Sequence, residues 1–238
     1  MINFNKKKIL IISPHPDDEA FGCGGIIQRC RKSGGEVYVL YLTVGTTRDF
    51  SKKEKSTADQ RMQEIKKVAS LFGIKGYKIA FIGEKYHLKL DSIPIKDIIN
   101  EIERGENISL EKIKPDILLI PPANDYNQDH RIANQASIAA ARPTSGEFKS
   151  FQKTVLEYEL PPDAWFLGEI CSPPNFYIAL EDDEFETKLK SLEFYGSQLK
   201  SSLNPLSIYG CKAQASFRGM QVGKKFAEAY FVKRLTAE

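Results

Sequence analysis

The chain has 238 residues, a length that suits one α/β domain with a substantial core. Lys and Arg exceed Asp and Glu by only 34 to 31, a net charge of +3, and no arginine stripe with interleaved aromatics occurs, so a nucleic acid is not the expected partner. No stretch is apolar enough to span a membrane and the first apolar run is too short for a signal peptide, so the chain reads as cytoplasmic. Its four cysteines, Cys23, Cys30, Cys171 and Cys211, form no C-x-x-C pair and read as small core residues of a reducing compartment.

In chain order, the continuous apolar run 9–12 predicts a buried strand of a parallel sheet. Next comes Ser13-Pro14-His15-Pro16-Asp17-Asp18-Glu19, then glycines at 22, 24 and 25, and a helix that starts near Ile26 and ends at Gly34-Gly35. A second strand, 36–43, completes a βαβ unit and leads into a loop carrying Arg48, a candidate contact for an anionic part of a substrate. Residues 56–72 form an amphipathic helix with Gly73 as its C-terminal cap. On it Arg61 and Glu64 lie three apart, as a surface ion pair or, for Arg61, a second substrate contact. A third strand follows at 77–82, then a loop with His87, expected to be solvated or else to sit at a pocket rim, and a helix over 94–103.

The next buried strand, 115–121, runs into Asn124-Asp125-Tyr126-Asn127-Gln128-Asp129-His130-Arg131, and a helix from Ile132 to about Arg142 follows. The last third is less regular. Strands are expected at 154–159, 176–180 and 225–232, and helices at 183–195 and 213–218, with Pro-Pro pairs between them. Trp165, in one Pro-rich loop, reads as a packing residue that can also stack on a sugar. The whole is expected to be a single α/β, Rossmann-like domain with a mostly parallel sheet. Residues 1–143 form its core and 144–238 an irregular extension over the active-site edge.

Two His/Asp clusters thus follow two parallel strands, at the strand end where open α/β sheets bind ligands. His15, Asp18 and His130 supply two imidazoles and one carboxylate, which suits a catalytic zinc with one position left for water. Asp17 is left free to take a proton from that water. The competing reading is that the acidic cluster only caps the following helix. His87, the remaining histidine of three, is not expected to be a ligand.

His15-Pro16-Asp17-Asp18-Glu19 resembles the signature of the PIG-L/LmbE-like family of zinc-dependent N-deacetylases. The resemblance continues through Arg61-x-x-Glu64, Phe72-Gly73-Ile74, Leu90-Asp91-x-x-Pro94, Asp125-x-Asn127-x-Asp129-His130-Arg131, Arg142-Pro143, Tyr195-x-Ser197-Gln198 and Ala227-Glu228-Ala229-Tyr230. It implies a Rossmann-like fold and hydrolysis of an N-acetyl group, usually on an amino sugar or a sugar conjugate. It implies Zn2+ on His15, Asp18 and His130, a site iron can also occupy, and Asp17 as general base. Many members carry His where this chain has Asn127, which can donate a hydrogen bond to an oxyanion but cannot be a cationic acid. Asn204-Pro205-Leu206-Ser207 likewise replaces a His-Pro-Arg-Ser common among relatives. Asp129 is the candidate carboxylate that orients the site. A homo-oligomer is compatible with this reading. The competing function is a non-catalytic carbohydrate- or nucleotide-binding protein of the same fold.

Overall fold

The computed structural model describes residues 2–48, 55–145, 147, 149–161, 173–201 and 203–236, and of Arg48 the backbone alone. Trp165 and Cys171 lie outside these residues. In chain order the strands are β1 (Lys8–Ser13), β2 (Glu36–Val44), β3 (Thr47–Arg48), β4 (Lys55–Ser56), β5 (Gly76–Ile82), β6 (Ile117–Ile120), β7 (Thr154–Tyr158), β8 (Phe176–Leu180) and β9 (Phe226–Leu235). Seven of them form one mixed sheet in the order β5-β2-β1-β6-β7-β9-β8, and β3 and β4 pair separately as a short antiparallel ribbon. Neighbours from β5 to β7 are parallel, and β9 runs antiparallel between β7 and β8.

The unbroken apolar run of β1 follows from its central place. Ile9 and Ile11 face one hydrophobic cluster, Leu10 and Ile12 the other, and all four are fully buried. Each such side chain contributes about 1.5–3 kcal/mol by leaving water. The first cluster is closed by α1 (Asp18–Lys32), α2 (Ala58–Phe72), α6 (Asp182–Phe194) and α7 (Ile208–Gln221). The second is closed by α3 (Ile95–Arg104), α4 (Leu110–Ile113) and α5 (Gln128–Ala140). The α2 ends match the expected signals: Thr57 Oγ1 accepts from Gln60 N–H, and Gly73 takes the left-handed conformation at φ 64°.

Three expectations are corrected. The first helix begins at Asp18, eight residues before Ile26, and runs through the glycines. They are there for close packing: a Cβ on Gly22 would lie 2.4 Å from the Tyr158 ring, and one on Gly25 2.3 Å from Leu180. α5 also begins earlier, at Gln128, because Asn127 caps it by accepting from Asp129 N–H at 3.0 Å. Asp18, Glu19 and His130 therefore sit in first helical turns rather than on loops. Finally, the last third is largely regular where described, giving β7, β8 and β9 to the sheet and two long helices to one face. Among the described residues no helix is long and apolar enough to cross a membrane.

Candidate metal centre and its cleft

β1 and β6 are parallel neighbours. β2 and β5 lie beyond β1 on one side and β7 beyond β6 on the other, so the strand order turns between β1 and β6. The loops leaving these two strands meet there, as expected at such a point. His15 Nδ1 lies 3.2 Å from His130 Nε2, and Asp18 Oδ2 lies 3.5 Å from the first and 3.4 Å from the second. A zinc about 2.0–2.1 Å from tetrahedral ligands requires neighbouring ligand atoms about 3.3–3.4 Å apart, which this triangle satisfies. Among the described residues these three are the His, Cys, Asp and Glu group able to hold an ion, and all three are buried.

The outer hydrogen bonds fix which nitrogens face the centre. His130 Nδ1 donates to Asp125 Oδ2 at 2.6 Å, and His15 Nε2 donates to Asp129 Oδ2 at 3.0 Å. Each inner nitrogen then presents a lone pair, beside the Asp18 oxygen. Three acceptors facing one another at this spacing require a cation between them, so the donor set fits a divalent metal. Without an ion a proton fills that need. Burial pushes the His130 imidazole down, but the Asp18 carboxylate and the bond to Asp125 outweigh it and lift His130 well above the usual range. His15 is likewise lifted against burial, by Asp129 and Asp18. Asp18 is held far below the carboxylate range despite its burial, chiefly by His130.

Asp17 lies beside this triangle and outside it. It occupies the N-cap position of α1, yet its side chain makes no cap hydrogen bond, so the capping reading of the acidic cluster fails here. Burial pushes its carboxyl up to about 8, the Asp18 charge adds to that, and the Arg61 guanidinium opposes it. Asp17 faces a cleft of about 210 Å³ that also touches Arg61, Asn127, Tyr126, His87, Gln198 and Leu206. The last third thus supplies one wall of the cleft. A larger groove of about 460 Å³, beside Tyr209 and Phe217 on α7, holds no comparable donor set among the described residues.

The other candidates are placed as follows. Asn127 lines the cleft, and its cap bond through Oδ1 leaves Nδ2 as the group that can donate. Asp129 is fully buried behind His15 and accepts from Leu90 N–H at 3.0 Å, so it orients the His15 ring rather than facing the cleft. The Arg48 side chain lies outside the described residues. Arg61 and Glu64 are not a surface pair: they are 2% and 6% exposed and have separate partners. Arg61 donates from Nη2 to Pro16 O and from Nη1 to Thr47 Oγ1 and His87 Nε2, while Glu64 accepts from Ser197 N–H and its hydroxyl.

His87 is not solvated. It is 5% exposed and packs edge-on against the His15 ring, because Gly45 leaves no side chain in its place. Burial, with Arg61 adding, pushes its pKa down to about 3. A guanidinium only donates, so His87 Nε2 accepts and its proton sits on Nδ1, facing Thr43 Oγ1 at 3.3 Å. The sequence reading also missed Asp125. Its signal was a carboxylate just ahead of the helix start that carries His130, a place from which it reaches back to that ring.

The model of the PIG-L family, described as GlcNAc-PI de-N-acetylase, matches residues 10–141. The diacetylchitobiose deacetylase of Thermococcus kodakarensis is 29% identical over 229 residues, covering 93% of this chain and 81% of that protein. The crystal structure of the N,N'-diacetylchitobiose deacetylase of Pyrococcus horikoshii superposes with a TM-score of 0.67 at 22% identity, covering 95% of this chain and 83% of that one. GalB, the 4-carboxy-2-hydroxymuconate hydratase of Pseudomonas putida, superposes with a TM-score of 0.73 at 20% identity, covering 98% and 99%. The hydratase shares the fold while carrying out a different reaction, so the fold alone does not decide the chemistry.

Proposed function

Because the chain belongs to the PIG-L family, the GlcNAc-PI de-N-acetylases, we propose that it hydrolyses the N-acetyl group of an amino sugar, free or within a nucleotide sugar or glycoconjugate, at a zinc site made by His15, Asp18 and His130. The reaction class, amide hydrolysis of an N-acetyl sugar, is that of the family. The observation that carries the residue assignment is the triangle of inward-facing donors with an uncommitted carboxylate, Asp17, beside it. The products are acetate and a free amine.

A divalent ion at this triangle supplies Lewis acidity, polarising the acetyl carbonyl and bringing the pKa of a water towards ~7. Two imidazoles and a carboxylate also suit Fe2+. Asp17 accepts the proton of the attacking water. Asn127 Nδ2 donates towards the oxyanion that develops on the acetyl group, with its Oδ1 tied down as the α5 cap. Asp17 then passes its proton to the leaving nitrogen. Asp125 and Asp129 keep both imidazoles in the ligating tautomer.

Acetate release from a panel of N-acetyl sugars by the zinc-loaded protein tests this reading. The panel should include N,N'-diacetylchitobiose, a nucleotide-linked N-acetylglucosamine and an inositol-linked one. Turnover that follows metal loading is the expected result. A fully metal-loaded protein that binds these sugars and releases no acetate would return the chain to the binding-protein reading.

A further inference from the structure

The peptide joining Pro16 to Asp17 is gripped at both polar ends. Its carbonyl accepts from Arg61 Nη2 at 3.0 Å, and its N–H donates to Glu19 Oε2 at 3.1 Å. Glu19 is fully buried and Arg61 nearly so. Each gripping group is held in turn. Glu19 Oε1 accepts from the Tyr195 hydroxyl at 2.5 Å, and Arg61 Nη1 donates to His87 at 3.0 Å and Thr47 at 3.2 Å. One grip thus comes from the first turn of α1, backed by Tyr195 at the end of α6, and the other from α2, backed by His87 in the loop after β5.

Asp17 itself has φ 120° and ψ −29°, a conformation residues with a Cβ rarely adopt. Such a conformation persists where the surroundings over-determine it. An Asp at a helix N-cap with ordinary backbone angles turns its carboxylate onto the first-turn N–H groups. Here no such bond forms, and the carboxylate lines the cleft. Rotation of the Pro16–Asp17 peptide would break both grips at once.

We propose that Glu19 and Arg61 clamp the Pro16–Asp17 peptide and thereby hold Asp17 out of its capping position and in the cleft, so that both are positioning residues. This rests on the assignment of Asp17 as the general base. Tyr195 is the support for one jaw of the clamp and His87 for the other.

Arg61→Ala, Glu19→Ala and Tyr195→Phe, each alone and combined with Asp17→Asn, test it in the zinc-loaded full chain. With N,N'-diacetylchitobiose as probe, each single change lowers kcat by about 10–100-fold, with KM within about twofold and metal stoichiometry unchanged. Glu19→Gln, which keeps an acceptor, recovers most of the loss. In the Asp17→Asn background the second change costs less than about twofold further, because the residue being positioned is already disabled. An Arg61→Ala enzyme with raised KM and normal kcat, or a full further loss in the Asp17→Asn background, overturns the clamp. Hydrogen exchange reads it without turnover, through an Asp17 amide that exchanges at least ~10-fold faster in Tyr195→Phe while β1 amides stay protected. Unchanged Asp17 protection in both Tyr195→Phe and Glu19→Ala sinks the proposal. A wild type inert on every acetyl sugar, with the exchange result intact, faults the assigned reaction and leaves the clamp standing.

Discussion

At the scale of single residues, two adjacent aspartates do opposite work. Asp18 turns inward, accepts from His15 N–H at 2.9 Å and completes the ligand triangle. Asp17, one position earlier, sits outside the triangle and keeps its oxygens uncommitted. Asp17→Asn keeps size and polarity but cannot take a proton. It should retain the metal and lose on the order of 10²–10⁴-fold in kcat. Asp18→Asn should lose metal and activity together. Metal content measured beside turnover separates the two variants, and near-normal turnover in zinc-loaded Asp17→Asn would mean that another group accepts the proton. Asp129 is a poor substitute there, being fully buried and committed to His15 and Leu90.

At the scale of elements, α1 is shaped by what it touches. The Glu228 carboxylate accepts from Gly25 N–H at 2.7 Å and Ile26 N–H at 2.9 Å within the helix, and it also pairs with Lys188 and Tyr230. The glycines let β7, β8 and α6 approach this closely. Two effects compete when one of them is replaced. Alanine is intrinsically better in a helix by about 1 kcal/mol. Against that, a Cβ on Gly22 would meet the Tyr158 ring at 2.4 Å, and this ring is buried and anchored by its hydroxyl to Ile12 O at 3.0 Å. Overpacking of a ring that cannot swing away costs about 1–3 kcal/mol, so the clash should win. Gly22→Ala is expected to lower stability in urea unfolding; a more stable variant would show that the ring gives way.

At the scale of the whole molecule, an ion on the proposed triangle would tie together the two halves of the sheet. His15 and Asp18 follow β1, and His130 follows β6. An ion that binds only the folded arrangement stabilises it by mass action, about 2.7 kcal/mol at a hundredfold excess over Kd. For a chain of this size that is a Tm shift of roughly 5–10 °C, so chelation should lower Tm by about that much. The sign with pH follows from the protonated state of the metal-free site. His15 and His130 are both held protonated above their usual range, and an ion must displace those protons. The gap in Tm between loaded and chelated protein should therefore widen as pH rises and shrink as it falls. A gap independent of pH would place the ion on other ligands.

The seven strands of the main sheet, the two His/Asp clusters and their common edge were legible in the amino-acid sequence, because these depend on local chemistry. An apolar run covered on both faces is continuous, and His and Asp closely spaced after a strand are residue types that suit a metal. It also carried the family through motifs spread along most of the chain. Only the tertiary structure decided the rest, because burial and partners come from distant segments. Arg61 and Glu64 look alike on a helix surface until Pro16 and Ser197 arrive to bury them. His87 looks like a loop histidine until the bare Gly45 admits it beside His15. The glycines of α1 look like a helix delay until Tyr158 and Leu180 require them. Asp17 looks like a helix cap until Glu19 and Arg61 take hold of the peptide before it, and a grip on one peptide by an arginine 45 positions from the carbonyl it holds leaves no periodicity for a sequence to show.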